Sequence, residues 1–100
     1  MAIESVLSTA VSGLLLHSRR AAASADAIAN VNTPGYRRTT VNGIDQVPGG
    51  VGAVERAGAE GVDLTREFVG LIQAEIGYTA NAQVIRTGED LSRTLIDILA

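Results

Sequence analysis

The sequence predicts a mainly α chain: two long helices packed as a coiled-coil-like hairpin, joined by a loop with a short β-hairpin. Three observations lead there. Apolar residues recur at alternating three- and four-residue steps in two stretches, 2–30 and 63–99. Between them, residues 31–62 gather both prolines, many glycines and turn-forming asparagines, and lose that period. The chain has only three aromatic residues in 100, Tyr36, Phe68 and Tyr78, against abundant Ala and Gly. A thick globular core would lack large rings, whereas small side chains let helices approach closely.

In the first stretch Ile3, Leu7, Ala10, Leu14, His17, Ala21, Ser24 and Ile28 form one seam, and Val6, Val11, Leu15 and Leu16 widen the apolar surface. No proline interrupts it, and the Ala-rich run 21–29 favours helix. The helix is expected to stop near Asn30–Asn32, because Thr33 precedes a proline and is steered out of the helical region. Pro34-Gly35 fits the two central positions of a type II turn. Asn42-Gly43, between Arg38–Val41 and Ile44–Val47, reads as a two-residue hairpin turn, with Pro48-Gly49-Gly50 ending the pairing.

Asp63 opens the second helix, with Arg66 at the position a capping box reserves for Glu. Leu64, Leu71, Tyr78, Ile85 and Leu99 repeat every seven residues, Ser92 being the break, and form the expected seam. Phe68, Ile72, Ala82, Leu95 and Ile96 flank it. Leu7, Leu14, Leu71, Ile85 and Leu95 are expected among the buried contacts. A second row, Val84, Leu91 and Ile98, lies on another face. One partner helix cannot cover both rows, so the second helix needs further partners. Gly70, Gly77 and Gly88 each cost about 1 kcal/mol relative to Ala in a helix. They mark either weak points or places of close helix approach in an assembly.

Composition narrows the chemistry. The net charge is −3 and there is no Cys, which excludes disulfides, Cys-ligated zinc and Cys nucleophiles. Mild acidity gives no nucleic-acid footprint. The longest apolar run, Ala10–Leu16, is too short to insert across a membrane. No basic segment precedes it and no small-residue cleavage site follows, so a Sec signal peptide is not expected. Residues 1–40 hold four Arg against two acids, and residues 41–100 four Arg against nine acids, so the two parts attract. Arg19 and Arg20 are placed to form ion pairs with Asp26, within or between subunits. The single His17 has no second His or Cys to complete a metal site and reads as a packed or interfacial residue. Ser5, Ser8, Ser12, Ser18 and Ser24 lack the setting of a nucleophile, and Gly49-Gly50-Val-Gly52 lacks the rest of a phosphate loop. No catalysis, cofactor or metal is expected.

Three stretches are more specific than any period: Ser5-Val-Leu-Ser-Thr-Ala-Val-Ser-Gly-Leu14, Ala29-Asn-Val-Asn-Thr-Pro-Gly-Tyr-Arg-Arg38, and the run from Val62 to Thr87. Their order and their places at the two ends resemble the bacterial flagellar axial family, the basal-body rod proteins and the related hook protein. The resemblance spans the chain apart from about residues 41–60. It departs at Asp26-Ala27, where the family carries a paired Asn, and in the short middle segment, where hook and distal-rod members carry a β-rich domain. It implies antiparallel terminal helices in the inner tube of a helical filament and a structural subunit of the periplasmic rod. It also implies export through the flagellar type III apparatus without a cleaved signal peptide. The implied partners are copies of itself, other rod and hook proteins and that export apparatus, with no nucleic acid and no membrane insertion.

On this resemblance the expected subunit-interface residues are Asn30, Asn32, Thr33, Pro34, Gly35 and Tyr36 in the turn, and Phe68, Tyr78, Asn81, Val84, Leu91, Leu95 and Ile98 on the second helix. Tyr36 offers a ring with a polar tip, and Asn81, between two alanines, an interhelical hydrogen bond that sets register. The competing reading is a small helical adaptor that docks on export or rod-assembly components. Association in open-ended series separates an assembly subunit from an adaptor, which forms a closed complex.

Overall fold

The computed structural model describes residues 2–46 and 49–99, without the side chains of Ala2, Ile3, Ala59 and Glu60. Helix α1 (Ala2–Ala29) leads through a turn to strand β1 (Arg37–Asp45), then strand β2 (Val51–Glu60) and helix α2 (Leu64–Leu99). The two helices lie antiparallel, about 42 and 54 Å long, and the strands form a two-stranded antiparallel sheet. The molecule measures 62 × 25 × 14 Å, with a radius of gyration of 17.3 Å. A compact chain of this length would have about 13 Å. This elongated helical hairpin with a β-hairpin in its connection is the fold class the sequence predicts.

The register of the helices is set by small residues. A Cβ on Gly88 would come 2.7 Å from Leu7 Cδ2, one on Gly13 2.8 Å from Asn81 Nδ2, one on Gly77 2.5 Å from His17 Cε1, and one on Gly70 3.2 Å from Ser24 Oγ. In each pair the two residue numbers total 94 or 95, as constant antiparallel register requires. The α1 seam is the expected one: Leu7, Ala10, Leu14, His17, Ala21, Ser24 and Ile28 are all buried or half-buried. Ile3 belongs to it by sequence, but its side chain is outside the described residues.

The α2 seam differs from the expected one. The face turned to α1 carries Glu67, Gly70, Ala74, Gly77, Asn81, Gly88 and Ser92, all buried or half-buried. Of the expected heptad only Leu71 and Ile85 are half-buried; Leu64, Tyr78 and Leu99 are exposed. Small residues win this face because the backbones approach too closely for large ones. The three glycines of α2 therefore mark close approach between the two helices of one chain. Leu95, expected to be buried, is 48 % exposed. The register places Ser92 opposite Ala2, where α1 begins, so residues 93–99 of α2 have no described turn of α1 facing them.

Asn42-Gly43 is not the hairpin turn. Strand β1 runs through it, Asn42 paired with Val54 and Gly43 with Ala53. The reversal falls at 46–50, closed by the Gln46 N–H donating to Gly50 O at 3.1 Å, with Gly50 at φ 96°. Gly43 has a different use: a Cβ there would come 3.0 Å from Leu16 Cδ2, so the glycine lets β1 lie on the buried Leu16. The expected strand end at Val47 and the Pro48 beyond it lie outside the described residues. Asp63 caps α2 as its sequence suggests, its Oδ1 accepting the Arg66 N–H at 3.2 Å.

The β-hairpin packs along α1, with the Val51 N–H donating to Ser12 Oγ at 3.0 Å. Arg19 does not pair with Asp26; it pairs with Glu55 at 3.2 Å, both side chains well exposed. Arg20 Nε donates to Val41 O at 3.4 Å. A register shift between Arg37 and Thr39 puts an extra residue of β2 opposite Arg38, a bulge in β2. Arg38 Nε reaches across to Glu67 Oε1 at 2.6 Å. Glu67 is 1 % exposed, the largest fully buried side chain described, and its Oε2 has no partner. Both ion pairs join the basic first part of the chain to the acidic remainder, as the charge distribution predicts.

Two predictions follow from this packing. Gly77→Ala should lower stability by about 1–2 kcal/mol, because the clash with the His17 ring outweighs the helix propensity gained. In a His17→Ala background the same change should stabilise, and a gain in both backgrounds, in urea melts at one protein concentration, would refute the close approach. Arg38→Ala should cost about 3 kcal/mol by leaving Glu67 buried and unpaired, whereas Arg38→Met with Glu67→Met should cost less. A wild-type melt for Arg38→Ala would contradict this.

Candidate functional site

The connection after α1 is a knot of short hydrogen bonds. Thr33, Pro34, Gly35 and Tyr36 form the type II turn that the sequence predicts, with Gly35 at φ 74° and the Tyr36 N–H donating to Thr33 O at 3.3 Å. Asn30 Nδ2 donates back to Asp26 O at 2.8 Å and to Asp26 Oδ1 at 3.2 Å. Thr33 Oγ1 donates to Asn30 Oδ1 at 3.1 Å. The Tyr36 hydroxyl donates to Asp26 Oδ2 at 2.6 Å, and Tyr36 O accepts the Gly61 N–H at 3.2 Å, tying the turn to the start of α2. Asp26 is the hub of this network. In the sequence Asp26 reads only as an ion-pair candidate and as a departure from the family's paired Asn. Its spacing of four from Asn30 and ten from Tyr36 was the available signal. Asn32 and Pro34 are exposed on the turn's surface.

The Asp26 contact holds the Tyr36 phenol above its ordinary pKa of 10.0. The hydrogen bond it donates is the main cause, with desolvation and the carboxylate's own charge adding to it.

The remaining expected interface residues lie along α2. Phe68, Tyr78, Val84, Leu91, Leu95 and Ile98 are all exposed, with Ile72, Ile76, Ile96 and Leu99 among them. They fall into two groups on either side of the α1 seam. Val84, Leu91, Ala80 and Gly88 line, with Val6 of α1, an apolar groove of about 530 Å³. On the other side Leu71 and Tyr78 line, with Ala21 and His17, a groove of about 480 Å³. Asn81 is brought to neither. It is half-buried between the helices, its amide over Gly13 and donating to Gly77 O of its own helix at 3.1 Å. The interhelical hydrogen bond expected of it is not made, because Gly13 puts backbone opposite and Asn81 turns to the carbonyl four residues back. No described helix is long and apolar enough to cross a membrane.

Comparison with known proteins gives one match. Residues 52–98 fit the family described as flagellar basal body rod FlgEFG protein C-terminal. This segment, just under half of the chain, is similar to that flagellar rod family. The matched residues take in most of β2 and nearly all of α2, including every exposed apolar residue named above from Phe68 to Ile98. No curated protein matches the chain. The axial family is one of structural flagellar components rather than of enzymes.

The turn's chemistry predicts a titration. The folded-state value of Tyr36 lies above the unfolded one, so the stabilisation from its contact is whole below pH 10 and is lost as pH rises through the folded-state value. In a Tyr78→Phe background, phenolate absorbance should report Tyr36 alone. Asp26→Ala should bring its midpoint down towards 10, and an unmoved midpoint would show that the contact does not form.

Proposed function

We propose that the chain is an axial subunit of the flagellar basal-body rod that polymerises through its terminal helices and so serves flagellum-dependent motility. The observation that carries this is the reversal of burial on α2. Its small residues face α1, and its large apolar residues, Leu71 and Ile85 apart, face outward along the length of the helix. Apolar rows of that length call for other helices to cover them. Two grooves on opposite sides of one seam let each subunit be both covered and covering. A contact of that kind between unlike surfaces repeats without closing and builds a tube or fibre. The turn of Asn30, Asn32, Thr33, Pro34, Gly35 and Tyr36, cross-linked by its side-chain hydrogen bonds, serves as a further subunit contact. Export through the flagellar type III apparatus, without a cleaved signal peptide, delivers the subunit to the periplasmic rod.

Leu95 tests the reading because it is outside the intramolecular seam. Leu95→Asp should leave helix content and the urea melt within about 0.5 kcal/mol of wild type, as at a surface site. It should still abolish incorporation into isolated basal bodies while the exported amount stays unchanged, since a charge placed in a covered apolar contact must be desolvated. Equal loss of exported and assembled protein would point to export instead, and full assembly of the variant would refute polymerisation through this face.

A further inference from the structure

The exposed apolar residues of α2 form two faces that differ in both side and height. Leu64, Phe68 and Ile72 lie in the N-terminal half, on the side of the Tyr78 groove, whose lining residues Tyr78, Glu75 and Thr79 follow them at seven- or fourteen-residue steps. Val84, Leu91, Leu95 and Ile98 lie in the C-terminal half, on the side of the Val6 groove. Neither face runs on along the helix. Continued by sevens, Phe68 and Ile72 lead to Glu89 and Arg93 near the C-terminus, a stripe suited to water. On the other side the N-terminal half is taken by the β-hairpin. Thr39, Thr40 and Val41 stand there beside Gln73, which precedes Ala80 of the Val6 groove by seven. The hairpin tip reaches Ser12, where a Cβ on Gly50 would come 2.8 Å from Oγ, and the helix register puts Ser12 opposite residues 82 and 83. The C-terminal face thus opens where the hairpin stops.

The area fits two contacts. The molecule exposes 6983 Å². A compact monomer of its mass exposes about 5,400 Å². The surplus, about 1,600 Å², is what one chain contributes to two standard contacts of about 800 Å² a side. A closed dimer through either face alone would cover half of it.

We propose that the C-terminal face of α2, residues 84–98, packs on the N-terminal face, residues 64–78, of a second copy that runs in the same direction and is displaced by about 20 residues. That displacement is about 30 Å, half of the 62 Å length of the molecule. The inference rests on the polymerising role proposed above and gives it a fixed stagger. The common direction follows from the hairpin. Copies displaced in this way leave it outside the contact. Copies running in opposite directions would come level, with the hairpin of one set against Glu89 and Arg93 of the other. In the displaced pair the turn after α1 of the second copy comes level with the hairpin tip of the first, which limits sliding. Each copy uses one face towards the next and the other towards the last, so the series stays open.

The chain has no cysteine, so disulfide trapping reads the register directly. Val84, Ile98, Leu64 and Tyr78 are all exposed. In equal mixtures of single variants under mild oxidation, Val84→Cys with Leu64→Cys, and Ile98→Cys with Tyr78→Cys, should give mixed disulfide dimers. Val84→Cys with Tyr78→Cys, and Ile98→Cys with Leu64→Cys, are the pairs that opposite directions would join, and should give at least tenfold less. Each variant alone should also give at least tenfold less. Circular dichroism of the variants controls for folding, and sedimentation velocity of wild type over a concentration series reads association itself. If wild type associates but no pair cross-links, or the second set or a single variant cross-links as well as the first set, the stagger falls while the polymerising role stands. If wild type is monomeric at every concentration, that role falls and takes the inference with it.

Discussion

The distance between α1 and α2 is the constraint on which the rest depends. Gly13, Gly70, Gly77 and Gly88 bring the backbones so close that Asn81, Ser24, His17 and Leu7 lie directly over them. A Cβ at three of these four positions would fall within 2.8 Å of the opposite side chain. Once this face of α2 is reserved for small residues, its Leu, Ile, Val and Phe have only the outer faces left to occupy. The exposure of Phe68, Ile72, Val84 and Leu91 is thus a consequence of tight packing within the chain, and the proposed assembly surface is the other side of that packing.

This explains what was legible in the sequence and what was not. The α1 seam was readable because its large and small members share one stripe, from Leu7 to Ile28, and a stripe of 3.5-residue period has only one reading. On α2 two interleaved heptad rows competed. Weighing rows by apolar size favoured Leu64, Leu71, Tyr78 and Ile85. The true seam ran through Glu67, Ala74, Asn81 and Gly88, equally regular at seven residues but nearly free of large side chains. The Thr33–Tyr36 turn was legible because proline and glycine fix its two central residues locally. The hairpin turn was not, because Asn42-Gly43 has the local preference for a turn while tertiary contact with Leu16 uses Gly43 for close approach in a strand. Buried Glu67 left no local trace at all, because its partner Arg38 is 29 residues away on β1.

The β-hairpin has a definite place in this economy of contact. It packs on α1, where its own Val41 and Leu16 of α1 are both buried, and touches α2 through the Arg38 side chain. A single buried carboxylate therefore locks the connection to the second helix. An apolar contact at that point would slide along the smooth Gly-rich face of α2. A charge pair with a defined geometry does not, and this favours a register-setting role for Glu67 over a purely stabilising one. The Asp26–Tyr36 bond does the same at the turn, where the chain leaves α1 and where Gly61 returns to it.

The energetic balance of such a molecule ties fold to function. Among the described residues the buried apolar side chains are Ala10, Leu16, Ala27, Val41 and Ala74, of which two are larger than alanine. Ordering the backbone costs about 1–2 kcal/mol per residue, and an elongated helical hairpin with so few large buried groups has little to set against it. Covering the outer rows offers more apolar burial than the interior does, at about 25 cal/mol for each Å² removed from water. Partners that bind only the ordered chain draw it towards order by mass action. On the proposed polymerising role, folding and assembly become one equilibrium, in which the outward-facing rows of α2 supply the burial that the thin interior lacks.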